Sequence, residues 1–358
     1  MNKRLEVLDS LRGFFCLLII FEHYSPLYIP DSFYKFPLIR HSYIVVDFFF
    51  VLSGFIITLK YQSYLNNFKN LFTFYKKRVF RLYPLLLITS TSVLVFEFFS
   101  NIYLRSFKNS PDSSIELFNR FLNDVLLVNS TSIFGDRAMN IPSWSISAEF
   151  ICYMVFGIIF LFVNTKKSNY NHSILFLITF ALLISSIYYD SFFSTYRLGF
   201  LRGLYSYFLG SLFSFAYSSK IKINGLFQIP LMFLFFFSFF LMSSESQIII
   251  KLLGVALPVF FGITIIVLLK SVGIFTYILK HSYLKNIGVI SFSIYLNHFL
   301  IVLVIPRFTF QILNVTNNTF FQILVFIFCP LIIIFISKFT NKHIEIRLNN
   351  YLRKKFNS

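Results

Sequence analysis

The chain has 358 residues, of which 57% are hydrophobic and only 13% are charged. A mean hydropathy of +0.73 excludes an ordinary soluble protein and indicates a polytopic membrane protein. We attribute the formal net charge of +18 mainly to lysines and arginines in the loops on the cytoplasmic side of the membrane. Because that distribution is expected of membrane proteins, the charge does not predict a nucleic-acid partner.

Ten apolar segments are long enough to cross the hydrocarbon core, which requires about 20 residues. None alternates as a strand would, so we predict an all-α membrane protein of about ten transmembrane helices. Most lysines and arginines fall in the loops on the same side of the membrane as the N-terminus. Because cytoplasmic loops carry an excess of these residues, we predict that both termini are cytoplasmic. The predicted spans lie near residues 11–29, 42–61, 84–100, 145–164, 173–189, 198–217, 226–242, 248–269, 286–306 and 320–338.

The first span carries polar residues, which are costly inside a membrane and are therefore functional candidates. At about 100° per residue, Arg12 and His23 share one helix face, whereas Glu22 points elsewhere and is interpreted as structural. In the ninth span Tyr295 and His298 share a face, and His298 lies at a depth close to that of His23. We therefore predict that the two histidines face one polar cavity.

Two carboxylates enter the membrane from the outer side. Asp47 begins the second span, and Glu149 begins the fourth, one turn after Ser145. The alternative interpretation is that each carboxylate caps a helix N-terminus. Trp144, just before Ser145, has its own alternative as an aromatic residue of the membrane interface.

A basic cluster precedes the third span on the cytoplasmic side. Lys77, Arg78 and Arg81 lie within five residues, and the two arginines share a helix face. Arginines so spaced can make bidentate contacts with phosphate. The alternative is a topological signal that contacts anionic lipid headgroups.

Three cysteines, Cys16, Cys152 and Cys329, are far apart and flanked by apolar residues. This spacing predicts neither a disulfide framework nor a metal site. We interpret all three as small buried hydrophobic residues.

Five sequence motifs occur in an order that resembles the acyltransferase-3 family. These are LDSLRGFFCLLIIFEH, VDFFFVLSGFIIT, RVFRLYP, PSWSISAEF and SFSIYLNH, and the resemblance extends from residue 8 to about 345. It implies one membrane acyltransferase domain over residues 1–358, in the bacterial inner membrane. It implies acetyl-CoA as the donor, no metal, and a hydroxyl of an envelope polysaccharide or its lipid-linked precursor as acceptor. We expect no appended soluble esterase-like domain.

The resemblance and the positions of the polar residues together predict roles for individual residues. His23 would take the proton of the acceptor hydroxyl, with Asp47 or Glu149 orienting the imidazole. An acyl-histidine intermediate is an equal alternative, and His298, Tyr295 or Ser145 would donate to the developing oxyanion. The catalytic candidates are Arg12, His23, Asp47, Glu149 and His298; the donor-binding candidates are Arg12, Lys77, Arg78 and Arg81; and the acceptor-binding candidates are Trp144, Ser145 and Tyr295.

Two other functions are compatible with the sequence. The first is transfer of a different acyl group, or transfer to a small-molecule acceptor. The second is a glycolipid transporter or flippase, a class that favours broken helices and repeated halves, neither of which is evident in the sequence.

Overall fold

A computed structural model describes residues 6–103, 112–163, 168–219 and 221–356 of the chain. Within these ranges the protein is helical and contains no β-strand, as predicted. Part of the long connection predicted after the third span, residues 104–111, lies outside the described residues.

The described residues form sixteen α-helices, joined by short loops and single turns. A π-helical segment, Asn341–Leu348, links the last two of them. The helices are α1 Glu6–Glu22, α2 Asp31–Tyr34, α3 Pro37–Arg40, α4 Val46–Tyr61, α5 Phe68–Tyr103, α6 Ser114–Val125, α7 Trp144–Val163, α8 Ser168–Tyr188, α9 Gly199–Ser218, α10 Gln228–Leu241, α11 Gln247–Lys270, α12 Ile274–His281, α13 Leu284–Val289, α14 Ser291–Arg307, α15 Thr319–Thr340 and α16 Asn349–Phe356.

Six helical segments of the described chain are long and apolar enough to cross a membrane. A chain with several such helices is a multi-pass membrane protein. Two further apolar helices, His172–Tyr188 and Gly225–Leu241, are shorter. The six segments are Ser42–Tyr61, Phe68–Tyr103, Ile141–Val163, Gln247–Lys270, Ser291–Ile312 and Thr319–Leu352.

Two predicted spans differ from the helices observed. The first was predicted to reach residue 29, but α1 ends at Glu22, and Pro26 begins a separate 3-10 turn. The ninth, predicted as one helix over 286–306, is divided at Ile290, which has φ −101° and ψ 11°. Apolar content predicts that a segment is buried in the membrane, but it does not predict where its helix breaks.

Helices α4 and α9 pack closely through small residues. A Cβ at Gly54 would overlap the carbonyl oxygen of Tyr207, and one at Gly210 would overlap that of Val51. Glycine at these contacts lets two helix backbones approach, as is common between membrane helices. The packing brings the first turn of α4 beside the first turn of α9.

Helix α1 packs in the same way against α13. A Cβ at Gly13 would overlap the carbonyl oxygen of Leu284, and one at Gly288 would overlap that of Asp9. The close contact holds α1 next to the start of α14. All three cysteines are buried, as predicted.

Candidate active site

A cavity of about 270 Å³ lies between α1, α4, α5, α7 and α14. Five residues singled out in the sequence line it, although they come from four different helices. They are Arg12, Arg81, Ser145, Glu149 and Tyr295. Further polar lining comes from Ser53, Tyr153 and Ser291, and α4 supplies much of the apolar lining, including Phe49, Phe50, Leu52 and Ile56.

Arg12 and Arg81 supply two guanidinium groups to this cavity, and the two positive charges are close enough to repel each other. Arg12 Nη1 lies 3.3 Å from Asp9 Oδ1. Among the described residues, the cavity wall thus carries two cations and one carboxylate, that of Glu149. The excess of positive charge favours an anionic occupant, because coulombic attraction is stronger in a mostly apolar cavity than in water.

The remaining members of the basic cluster do not line the cavity. Arg78 is buried, donates from Nη2 to the hydroxyl of Tyr61 at 3.0 Å, and lies 5.4 Å from the ring centre of Tyr153. Lys77 Nζ lies 5.5 Å from the ring centre of Tyr64. The sequence analysis treated Lys77, Arg78 and Arg81 as one donor-binding cluster. The packing around α5 places Arg81 on the cavity wall and the other two away from it.

Glu149 takes part in a compact hydrogen-bond cluster on the cavity wall. Its Oε1 accepts from Ser53 Oγ at 2.6 Å and from the hydroxyl of Tyr153. Ser53 Oγ and the Tyr153 hydroxyl are themselves 3.1 Å apart. The partners of this carboxylate are therefore hydroxyl groups rather than the imidazole of His23.

Ser145 and Tyr295 form a second cluster. Ser145 Oγ donates to the Tyr295 hydroxyl at 2.8 Å, and that hydroxyl donates to the Pro142 carbonyl at 2.9 Å. Ser145 Oγ also lies 3.2 Å from the Pro142 carbonyl oxygen, so both hydroxyl groups are within hydrogen-bonding range of that carbonyl. The protons of both hydroxyls are thus engaged before any ligand binds.

The two histidines lie side by side, with ring centres 4.8 Å apart and the rings edge to face. His298 is fully buried, and its ring centre lies 5.7 Å from that of Tyr295. Neither histidine lines the cavity described above, although both were predicted to face one polar cavity. The polar groups instead continue from the cavity wall at Tyr295 through His298 to His23.

Hydrogen-bond partners determine the tautomers of both rings. His23 Nδ1 lies 2.9 Å from the Ile19 carbonyl oxygen and 2.9 Å from Glu22 Oε2. Both of these oxygens accept, so Nδ1 carries a proton, and in the neutral ring the lone pair is on Nε2. His298 Nδ1 likewise donates to the Tyr295 carbonyl at 2.7 Å, and its Nε2 has no hydrogen-bond partner in the described part of the chain.

The carboxylate that contacts His23 is Glu22, whereas the sequence assigned Asp47 or Glu149 to this position. Helical periodicity predicted that Glu22 points away from the face shared by Arg12 and His23. That prediction assumes a continuous helix, but α1 ends at Glu22, so His23 lies outside the helix. The signal available in the sequence was the Ser25–Pro26 pair, which is typical of a turn immediately after a helix.

Asp47 is instead held by a buried arginine that the sequence analysis did not select. Arg202 donates from Nε to Asp47 Oδ1 at 3.1 Å and from Nη2 to Oδ2 at 2.9 Å. Ser206 Oγ donates to Oδ1 at 3.0 Å, and the Trp144 ring centre lies 5.3 Å from the guanidinium. Trp144 is therefore a buried partner of Arg202 and not an aromatic residue of the membrane surface.

A strap, defined here as residues 139–143, connects the segment after α6 to this site. Its anchor is Asp124 of α6, which is fully buried and accepts from Ser90 Oγ, Asn129 Nδ2, Ser143 Oγ and the backbone N–H groups of Met139 and Asn140 at 2.5 to 3.2 Å. Burial raises the pKa of Asp124 to about 6. The strap includes Pro142, whose carbonyl accepts from Tyr295.

The strap also contacts α14 directly. Asn140 Nδ2 donates to the Leu296 carbonyl at 3.0 Å and to Thr89 Oγ1 at 3.1 Å. Asp124 therefore acts on Tyr295 and the start of α14 without contacting either.

Comparison with known proteins gives one family match. The model of the acyltransferase domain family, Acyl_transf_3, matches residues 5–338. Neither the curated proteins nor the solved structures contain a match to the chain. The family model covers nearly the whole chain, which therefore belongs to the acyltransferase-3 family.

Proposed function

We propose that this membrane acyltransferase moves an acetyl group from cytoplasmic acetyl-CoA to a hydroxyl of a cell-envelope polysaccharide or its lipid-linked precursor. The observation that carries the proposal is the continuous path of polar groups described above. It runs from the two cavity arginines, Arg12 and Arg81, past Tyr295 to His298 and His23.

The donor end of the path is the pair of cavity arginines. Guanidinium groups are suited to phosphate because their N–H groups are planar and always charged. Arg12 and Arg81 would hold phosphate oxygens of acetyl-CoA, and the apolar wall of α4 would accompany its pantetheine arm. Arg78, caged by aromatic rings, would position α5 rather than contact the donor.

The reactive end is His23, whose Nε2 carries the lone pair. As the acceptor oxygen attacks the thioester carbonyl, the new C–O bond forms and the hydroxyl proton moves to Nε2 of His23. Collapse of the tetrahedral species breaks the C–S bond, and the departing thiolate takes the proton from Nε2 of the imidazolium, which releases the thiol of CoA and regenerates neutral His23. Glu22, which contacts Nδ1, stabilises the imidazolium that forms.

The membrane arrangement belongs to the same proposal. Ten spans with both termini in the cytoplasm would place Arg12 and Arg81 toward the cytoplasmic donor. They would place His23 and the strap toward the acceptor side of the bacterial inner membrane. The asymmetric distribution of lysine and arginine along the sequence supports this orientation.

The test is transfer of radiolabel from acetyl-CoA into envelope polysaccharide by membranes carrying wild type, His23→Ala or His281→Ala at equal levels. His281 is the matched control because it is exposed, and its hydrogen bond and its ring contact are both with Tyr277 of its own helix. We expect an alkali-labile ester with wild type and His281→Ala, and none with His23→Ala. Equal labelling by all three would refute the role of His23, and labelling only from a longer acyl-CoA would refute acetyl as the group transferred.

A further inference from the structure

The segment between the α11 and α14 spans folds into a short helix that exposes apolar side chains. Helix α12 has eight residues and is therefore only about 12 Å long, too short to cross a membrane. Its exposed fractions are 66% at Tyr277 and 52% at Ile278, and Val272 just before it is 91% exposed. Apolar side chains so exposed between two candidate spans require a partner.

A second turn extends this surface. Leu226 and Phe227, in the 3-10 turn before α10, are 69% and 60% exposed. Gly225 packs against the backbone of Val272, where a Cβ would overlap the carbonyl oxygen. The 3-10 turn and α12 therefore form one surface, which we call the interfacial patch. It is defined as Leu226, Phe227, Val272, Tyr277, Ile278 and Lys280.

Buried hydrogen bonds hold the patch in place. Gln228 is 1% exposed, and its Oε1 accepts from the backbone N–H groups of Phe275 and Thr276 at 3.0 and 3.2 Å. Its Nε2 donates to Ser271 Oγ at 2.8 Å and to Thr276 Oγ1 at 2.6 Å. The side chain thus caps the first turn of α12 from another helix, and it satisfies N–H groups that would otherwise lack partners.

The other side of α12 is attached to α1. Ser10 Oγ donates to the Leu279 carbonyl at 2.5 Å, and Ser10 lies on the helix that carries Arg12. The patch is therefore a built surface on a fixed frame.

We propose that the interfacial patch docks on the acidic phospholipid surface of the membrane, with α12 lying in the plane of the interface. Exposed lysines, Lys280 in α12 and Lys222 before the 3-10 turn, accompany the apolar side chains. Apolar side chains beside lysines are the composition by which short amphipathic helices bind anionic bilayers. The patch also follows directly from the end of α11 at Lys270, where a candidate span reaches the membrane surface. This proposal does not depend on the substrate of the enzyme.

The experiment places a fluorescent label in the patch of the full-length protein. Ile278→Cys is labelled with bimane in vesicles of phosphatidylcholine and phosphatidylglycerol, with one lipid at a time brominated at equal mole fraction. Wild-type protein gives the labelling background, because its three cysteines are buried. The matched control is Glu245→Cys, at an exposed position in the loop between α10 and α11.

We expect brominated lipid to quench the label at residue 278 more strongly than the label at residue 245. We also expect brominated phosphatidylglycerol to quench residue 278 more than brominated phosphatidylcholine does, by up to about fivefold per nearby lysine. Lys280→Gln should reduce that preference. Gln228→Leu, which removes the cap of α12, should weaken quenching by both lipids.

Two results would overturn the proposal. Residue 278 could be quenched by a water-soluble quencher and not by brominated lipid, which would show that the patch does not contact the bilayer. Equal quenching by the two brominated lipids, unchanged in Lys280→Gln, would show that the surface is not selected by its charge.

Discussion

Replacing Asp124 by asparagine tests whether the strap positions the active site. The carboxylate accepts five hydrogen bonds, two of them from the backbone N–H groups of Met139 and Asn140. Asparagine offers one acceptor oxygen, and its amide nitrogen must face donors. The serine hydroxyls can rotate, but a backbone N–H cannot, so at least one buried N–H loses its acceptor.

An unsatisfied buried donor costs about 1–3 kcal/mol, so we expect Asp124→Asn to lower the free energy of unfolding by about 2 kcal/mol. We further expect kcat to fall while the KM for the acyl donor stays unchanged. The strap holds the Pro142 carbonyl that accepts from Tyr295, whereas Arg12 and Arg81, the arginines proposed to bind the donor, lie on other helices. The assay combines thermal unfolding in detergent with label transfer at varied donor concentration.

Asp136→Asn provides the matched control, because Asp136 is exposed in the same loop. It should change neither the unfolding temperature nor kcat. An Asp124→Asn protein that loses stability but keeps wild-type kcat would refute the positioning role of the strap. One that keeps both would refute the hydrogen-bond network itself.

Four further outcomes follow from the structure. Glu22→Gln should lower kcat by about tenfold or more, since the imidazolium loses its carboxylate; steady-state label transfer measures this, and an unchanged kcat would count against the pair. Asp47→Asn leaves the buried guanidinium of Arg202 without its ion pair, so unfolding should become easier by about 3–5 kcal/mol, and a melting curve like that of wild type would contradict this. Gly288→Ala should prevent close packing of α13 on α1 and reduce the folded yield in membranes, with normal yield as the contrary result. Because the folded pKa of Asp124, about 6, lies above its ordinary value, wild type should gain stability relative to Asp124→Asn as the pH is lowered from about 7 to about 4; unfolding curves across that range measure the difference, and a constant difference would contradict the raised pKa.

Local patterns in the sequence predicted most of the helices. Every predicted span overlaps a helix, because hydrophobicity over about 20 residues is a property of the segment alone. The first span nevertheless extends past the end of α1, and the ninth covers parts of both α13 and α14. Helical periodicity also predicted that Tyr295 and His298 share a face, which needs only the geometry of one helix. The ordered motifs then identified the family, and the family model matches residues 5–338.

Contacts between distant segments could not be predicted in this way. Asp47 and Arg202 are separated by 155 positions, and no pattern within either helix indicates that they pair. The same holds for the aromatic cage that removes Arg78 from the cavity and leaves Arg81 in it. These choices depend on how α4, α5, α7 and α9 pack.

The end of α1 illustrates the physical difference between the two levels. The sequence determined that an apolar helix would carry Arg12 and His23, because both the helix and the residue spacing are local. The contact of His23 with Glu22 follows from the local end of α1, whereas its contact with His298 depends on tertiary packing. That contact needs the helix to end at Glu22 and α14 to pack beside it, and the free energy of such packing comes from residues far apart in the chain.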